Sequence, residues 1–81
     1  METIKFIVEY TDTFGGEANY SWVRRKTFEA PRNISDLSLV RKAKKEIGLT
    51  GARCDRNEFG ETIELRPRGT ATVLFIYPEP E

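Results

Sequence analysis

Hydrophobic and polar positions alternate from the start of the chain. Ile4, Phe6, Val8 and Tyr10 interleave with Lys5, Ile7, Glu9 and Thr11. A period of two over this length predicts a half-buried strand across residues 3–11. Residues 12–19, Asp-Thr-Phe-Gly-Gly-Glu-Ala-Asn, break the pattern. Gly15 and Gly16 tolerate positive φ, and Asp12 and Asn19 are turn formers, so the stretch reads as a hairpin loop longer than the tightest type. Its Phe14 either folds back onto the core or stands out as an anchor for a partner. Residues 20–29 read as a second strand with a less clean split. Tyr20, Trp22, Arg24, Lys26 and Phe28 share one face, and Ser21, Val23, Arg25, Thr27 and Glu29 the other. Trp22 and Phe28 are expected to join the core at its ends, and Pro31 to end the ladder.

The period then changes. Leu37, Val40, Ala43 and Ile47 recur at spacings of three and four within residues 34–48, with Leu39 widening the stripe, which predicts the chain's one helix. Ser35 or Asp36 can cap its first turn. Arg41, Lys42, Lys44 and Lys45 fall towards solvent in the C-terminal half, where cations suit the helix dipole, and Gly48 supplies a left-handed terminator.

Beyond the helix, residues 49–56 read as a weak strand, poor in β-branched residues and suited to an edge. Residues 56–61 read as a turn, and residues 62–66 as a strand with Ile63 and Leu65 on one face. Pro67-Arg-Gly69 reads as a tight turn. Residues 70–77 contain the nearly continuous apolar run Val73-Leu-Phe-Ile-Tyr77, the pattern of a central strand covered on both faces, or of one covered by the helix on one face and a partner on the other. The expected order is β-β-α-β-β-β. The expected class is α+β, a single antiparallel five-stranded sheet with one helix packed on one face. Residues 1–77 form one domain in this reading, and residues 78–81 a frayed tail. One helix cannot cover both faces of five strands, so the second face is solvated, curled on itself or used for binding.

Composition adds limits. A chain of 81 residues suits one small domain and leaves little room for a deep catalytic cleft. Its net charge is zero, yet the charge is segregated. Residues 1–20 carry one basic group against four acids, residues 21–56 ten against four, and residues 57–81 two against five. Such segregation marks either an interaction surface or halves that neutralise each other across the sheet. The single cysteine, Cys54, excludes an internal disulfide and fits a reducing cytoplasm. The first residues enter an alternating strand rather than a signal sequence, and no run approaches the length of a membrane span. A cytoplasmic protein that uses no membrane is the expectation.

Candidate chemistry is sparse. The absence of histidine removes Ser–His–acid triads, Cys–His pairs and histidine-bound zinc. Cys54 has no histidine to activate it and reads as a half-buried small residue. Gly15-Gly16 is followed by a strand rather than by the helix of a phosphate loop. The acids Asp55, Glu58, Glu61 and Glu64 lack the spacing of a calcium loop. No catalytic residue, metal site, cofactor or small-molecule substrate is expected. The stronger candidate is the basic group: Arg24, Arg25, Lys26, Arg32, the helix cations, Arg53 and Arg56, with Tyr20 and Trp22 nearby. It reads as a solvated face or as a cationic, aromatic surface for nucleic acid, although no RNP pattern or GXXG loop accompanies it.

The stretch Tyr10-Thr-Asp-Thr-Phe-Gly-Gly-Glu-Ala-Asn-Tyr-Ser-Trp-Val-Arg-Arg25, with Leu39-Val-Arg-Lys-Ala-Lys, Gly48-Leu-Thr-Gly51 and Glu64-Leu-Arg-Pro67, resembles small bacteriophage accessory proteins. The resemblance spans most of the chain but contains no catalytic motif. It implies a non-enzymatic protein that binds a protein complex of its host, as anti-CRISPR and other anti-defence inhibitors do, in the host cytoplasm. The expected contact residues are Phe14, Glu17, Asn19, Tyr20, Trp22, Arg24, Arg25, Lys26, Arg41, Lys42 and Lys45. The alternative is a nucleic-acid-binding accessory domain using the same cations.

Overall fold

The computed structural model describes residues 2–80. Five strands and one helix follow in the order β1 (Thr3–Phe14), β2 (Glu17–Pro31), α1 (Asp36–Ile47), β3 (Cys54–Phe59), β4 (Thr62–Pro67) and β5 (Thr72–Pro78). The strands form a single antiparallel sheet in the spatial order β2-β1-β5-β4-β3. The expected α+β class and element order are those observed.

The continuous apolar run of β5 accounts for its central place. Leu74 and Ile76 face the helix side, beside Tyr10 and Val8 of β1 and Leu65 and Ile63 of β4. Val73 lies beside Thr11 on the other face, and all three β5 residues are fully buried. β5 ends one residue later than expected: Pro78 pairs with Phe6, and the Glu79 N–H donates to the Lys5 carbonyl at 2.9 Å. Pro78 and Glu79 of the expected tail are thus held against β1, while Glu81 lies outside the described residues.

The helix starts where the Ser35 side chain accepts from the Ser38 N–H, and it ends at Gly48 in the left-handed conformation, φ 85. It lies over β1 and β2. Its buried positions are Leu39, Ala43 and Ile47, with Val40 half-buried, packed on Phe6, Val8, Phe28 and Ala30. Leu37, expected in the stripe, is 57% exposed. The sheet-facing row runs through 39, 43 and 47 at intervals of four, and position 37 falls outside that row.

Between the helix and β4, two boundaries also move. The stretch 49–53, expected as the start of a strand, is a turn segment that tucks Leu49 against the core, with Gly51 at φ 82. The expected turn at 56–61 is instead mostly strand, because β3 runs to Phe59 and pairs in unbroken register with β4. Only Gly60 and Glu61 turn the chain, with Gly60 at φ 59 in the position that tight hairpins reserve for glycine. β3 is an edge strand, as its composition suggested.

Candidate functional site

The first hairpin outgrows the sheet. β1 pairs with β5 only as far as Asp12–Thr72, with one further bond from the Thr13 N–H to the Ala71 carbonyl at 2.8 Å. Beyond that, the hairpin runs on alone to Phe14 and Glu17, which face each other across Gly15 and Gly16 at φ 63 and 86. The expected long loop is therefore a two-residue turn, the tightest kind. Two successive positive φ angles match the right-handed twist of the strands, and glycine adopts both without strain.

The remaining loop residues form a wide bulge in β2. Between the pairs Thr11–Val23 and Thr13–Ala18, β1 contributes Asp12 alone and β2 contributes residues 19–22. Asp12 holds this bulge. Its Oδ1 accepts the Ser21 N–H at 3.0 Å, and its Oδ2 accepts the Ser21 hydroxyl at 2.6 Å and the Asn19 amide at 3.0 Å. The Ser21 hydroxyl, then the Asn19 amide, hold the Asp12 carboxyl down at about 2. Tyr20, at φ 55, is the one non-glycine residue with positive φ among the described residues, an uncommon conformation for an aromatic side chain. An Asp12→Ala variant is expected to release the bulge, and amide exchange at Ser21 should speed up by about ten-fold or more while β5 amides keep their protection.

The bulge re-aims Tyr20 onto the sheet face that lacks the helix. Its hydroxyl donates to Glu9 Oε1 at 2.7 Å. Glu9 Oε2 accepts from Arg25 Nε at 2.8 Å and from the Tyr77 hydroxyl at 3.2 Å. Glu9 is 7% exposed, unusual for a carboxylate on a face that no other element covers. Burial pushes its pKa up, but the bonds from Arg25 and Tyr20, the Arg25 charge and the Tyr77 bond together outweigh burial and hold it below the ordinary value. In return, the Glu9 bond pushes Tyr20 up to about 12. Tyr77 also rises, through burial first and then the Glu9 charge.

Register continues this arrangement across the whole sheet. Arg25, Glu9, Phe75, Glu64 and Asn57 stand opposite one another in sequence from β2 to β3. Glu64, 8% exposed, accepts from Arg66 at 3.1 Å and from Asn57 at 3.2 Å. Two neutralised carboxylates therefore flank the half-buried Phe75.

The expected contact residues divide among these surfaces. Phe14 is at the hairpin tip, 80% exposed, which settles its alternatives against the core. Glu17 faces it, and Asn19 and Tyr20 lie in the bulge. Trp22, expected to join the core, is 41% exposed and meets Tyr10 edge-on at 5.2 Å on the helix side. Phe28 is buried as expected, stacked on Phe6. The three consecutive cations do not act together. Arg24 and Lys26 lie beside Tyr10 and Val8 on the helix side, whereas Arg25 lies on the opposite face in its ion pair. Arg41, Lys42 and Lys45 are exposed on the helix, and Lys44 donates to the Ala52 carbonyl at 2.6 Å.

Sequence reasoning did not single out Glu9, Asp12 or Tyr77 as a network. Glu9 sits in the polar phase of β1, where a solvated acid is the ordinary expectation. Only the register of two separate strands brings Arg25 and Tyr77 to it. Among the described residues, no group of three or more cysteine and carboxylate side chains is placed to hold a metal ion. Cys54 is half-buried, and burial pushes its thiol up, away from nucleophilic character.

No protein-family model matches this chain, and no curated protein or solved structure proved significantly similar to it.

Proposed function

We propose that this chain is a protein-binding module that acts by occlusion rather than by chemistry, with the first hairpin as its main contact. The observation that carries this reading is a concentration of exposed apolar side chains. Phe14, Tyr20, Trp22 and Val23 are four of the six large hydrophobics exposed among the described residues, and all four lie on that hairpin. Aromatic side chains beside arginine are the usual energetic centre of protein interfaces. The Asp12 bonds and the two-glycine turn hold them in place before a partner arrives, which lowers the entropic cost of association. The resemblance to bacteriophage accessory proteins suggests a host complex, including a CRISPR-type defence complex, as the partner.

Capture from a host lysate with wild type and with Phe14→Ala tests this. Phe14 is 80% exposed, so the substitution should leave the thermal midpoint within a degree or so while weakening capture by about ten-fold or more. An unchanged set of captured proteins at unchanged occupancy would remove the hairpin from the function.

A second reading, nucleic-acid binding, has its own support. Arg24 and Lys26 share the helix side with Arg41, Lys42 and Lys45, and none of the five makes an ion pair with another described residue. Binding through several such cations weakens steeply between low and moderate salt. A purified chain that shifts neither DNA nor RNA at low salt would rule this reading out.

A further inference from the structure

The outer edge of β3 is open. The strand pairs with β4 alone, α1 lies over the far end of the sheet on β1 and β2, and every β3 residue after Cys54 is exposed. Charges on an edge ordinarily keep other strands away. Here their order does something more specific. Arg56 and Glu58 lie on the same face of the strand, beside Leu65 and Ile63, and neither makes an ion pair with another described residue.

We infer that the β3 edge is a self-complementary surface on which a second copy of this chain docks, strand to strand and antiparallel. When two identical antiparallel strands extend one sheet, residues directly opposite share a face, so one residue must stand opposite itself on the twofold axis. Centring on Asp55, Arg56 or Glu58 sets like charges directly against each other, which destabilises a strand pair. Centring on Asn57 sets two neutral amides on the axis. It also places each Arg56 opposite the Glu58 of the other copy, twice by symmetry. Of these four registers, this is the one that repels nowhere and attracts at two places. The pairing also works whether the Asn57 backbone groups point outward or inward, because opposite residues in an antiparallel ladder alternate between hydrogen-bonded and non-bonded pairs. The exposed Phe59 comes to lie opposite Asp55 of the other copy, within reach of the Arg68 guanidinium that Asp55 holds at 3.0 Å.

The other edge is unsuited to the same use. β2 is interrupted by its bulge, and Arg24, Arg25 and Lys26 sit in a run on it. Pairing through β3 therefore closes at two copies. It makes a ten-stranded sheet with the two aromatic hairpins at opposite ends, the outermost strands roughly 43 Å apart at the usual strand spacing. Two hairpins so placed give the dimer bivalent contact with a repeated or symmetric partner.

Sedimentation equilibrium on the purified chain tests the inference without any partner, so its outcome is separate from that of the hairpin's role. Wild type should show a weak monomer–dimer equilibrium, with a dissociation constant on the order of 100 µM for so small an interface. Arg56→Glu sets glutamate against glutamate, and Glu58→Arg sets arginine against arginine. Each variant alone should dimerise about ten-fold or more weakly. Mixed in equal amounts they should recover the dimer, because every cross-copy pair is then opposite in charge. Both positions are exposed, and circular dichroism of each variant should match wild type. A wild type that stays monomeric to about 1 mM, single variants that dimerise as well as wild type, or a mixture that fails to recover would each overturn the inference.

Discussion

Leu74→Ala is expected to cost this domain about 3 kcal/mol, a large share of a stability that for 81 residues falls at about 4–12 kcal/mol. Leu74 is fully buried on the central strand, between Tyr10 of β1 and Leu65 of β4, under the helix side of the sheet. Backbone ladders on both sides hold β5 at fixed spacing, so the strands cannot close over the space left by the side chain. Little relaxation means that both the lost transfer energy and the cavity are felt. With a urea slope of about 1 kcal/mol per molar for so small a chain, the unfolding midpoint should fall by about 3 M. Leu37→Ala is the matched control. That leucine lies on the helix but is 57% exposed, and its truncation should move the midpoint by about 0.5 M or less. If the two variants lose equal stability, the packing of β5 described above is wrong.

The contrast between these two leucines also separates what was readable in the sequence from what was not. Element type and order follow from local periodicity. The alternation Ile4-Phe6-Val8-Tyr10, the helical row ending at Ile47 and the apolar run of β5 each state their own partner face, and the sheet obeys them. Leu37 departs from the expected stripe because spacing alone does not say where the centre of a stripe falls. Its burial depends on where α1 crosses the sheet, over β1 and β2. The hairpin departs from the expected long loop for a related reason. Asp12-to-Asn19 contains enough turn formers for a long loop, but the chain concentrates its turn into two glycines. It spends the other residues on a bulge that Asp12 holds by side-chain bonds. The split of Arg24 and Lys26 from Arg25 was legible in the strand alternation, and the register bears it out. The Glu9 network joins four positions on three strands, separated by up to 68 residues, and no local pattern encodes it.

That network gives the second large effect, with a dependence on pH that identifies it. At neutral pH, Glu9→Gln is expected to cost about 2 kcal/mol. The change removes the charge that Arg25 faces at 2.8 Å and puts an amide NH2 in place of one carboxylate oxygen, against either the Tyr20 donor or the Arg25 and Tyr77 donors. The Arg25 side chain is 57% exposed, which keeps the figure below that of a fully buried pair. The folded pKa of Glu9 lies below its ordinary value of 4.5. The unfolded chain therefore binds this proton more readily than the folded one. The stabilisation is fully present above about pH 4.5 and is lost as pH falls through the folded pKa. Urea midpoints of wild type and Glu9→Gln should thus differ most near pH 7 and converge as the pH falls below 4.5 through the folded pKa. Asp12, held at about 2, loses its own contribution as pH falls from about 3.8 through 2, but equally in both proteins, so the difference between them is unaffected. Tyr20 works in the opposite direction. With its folded pKa raised to about 12, it favours the folded state below its unfolded value near 10, and that contribution disappears as pH rises through 12. In Glu9→Gln this alkaline loss should shrink as well, because the Glu9 bond is what raises Tyr20. A constant difference between wild type and Glu9→Gln from pH 3 to pH 7 would show that Glu9 contributes packing alone, with no charged network behind the open face.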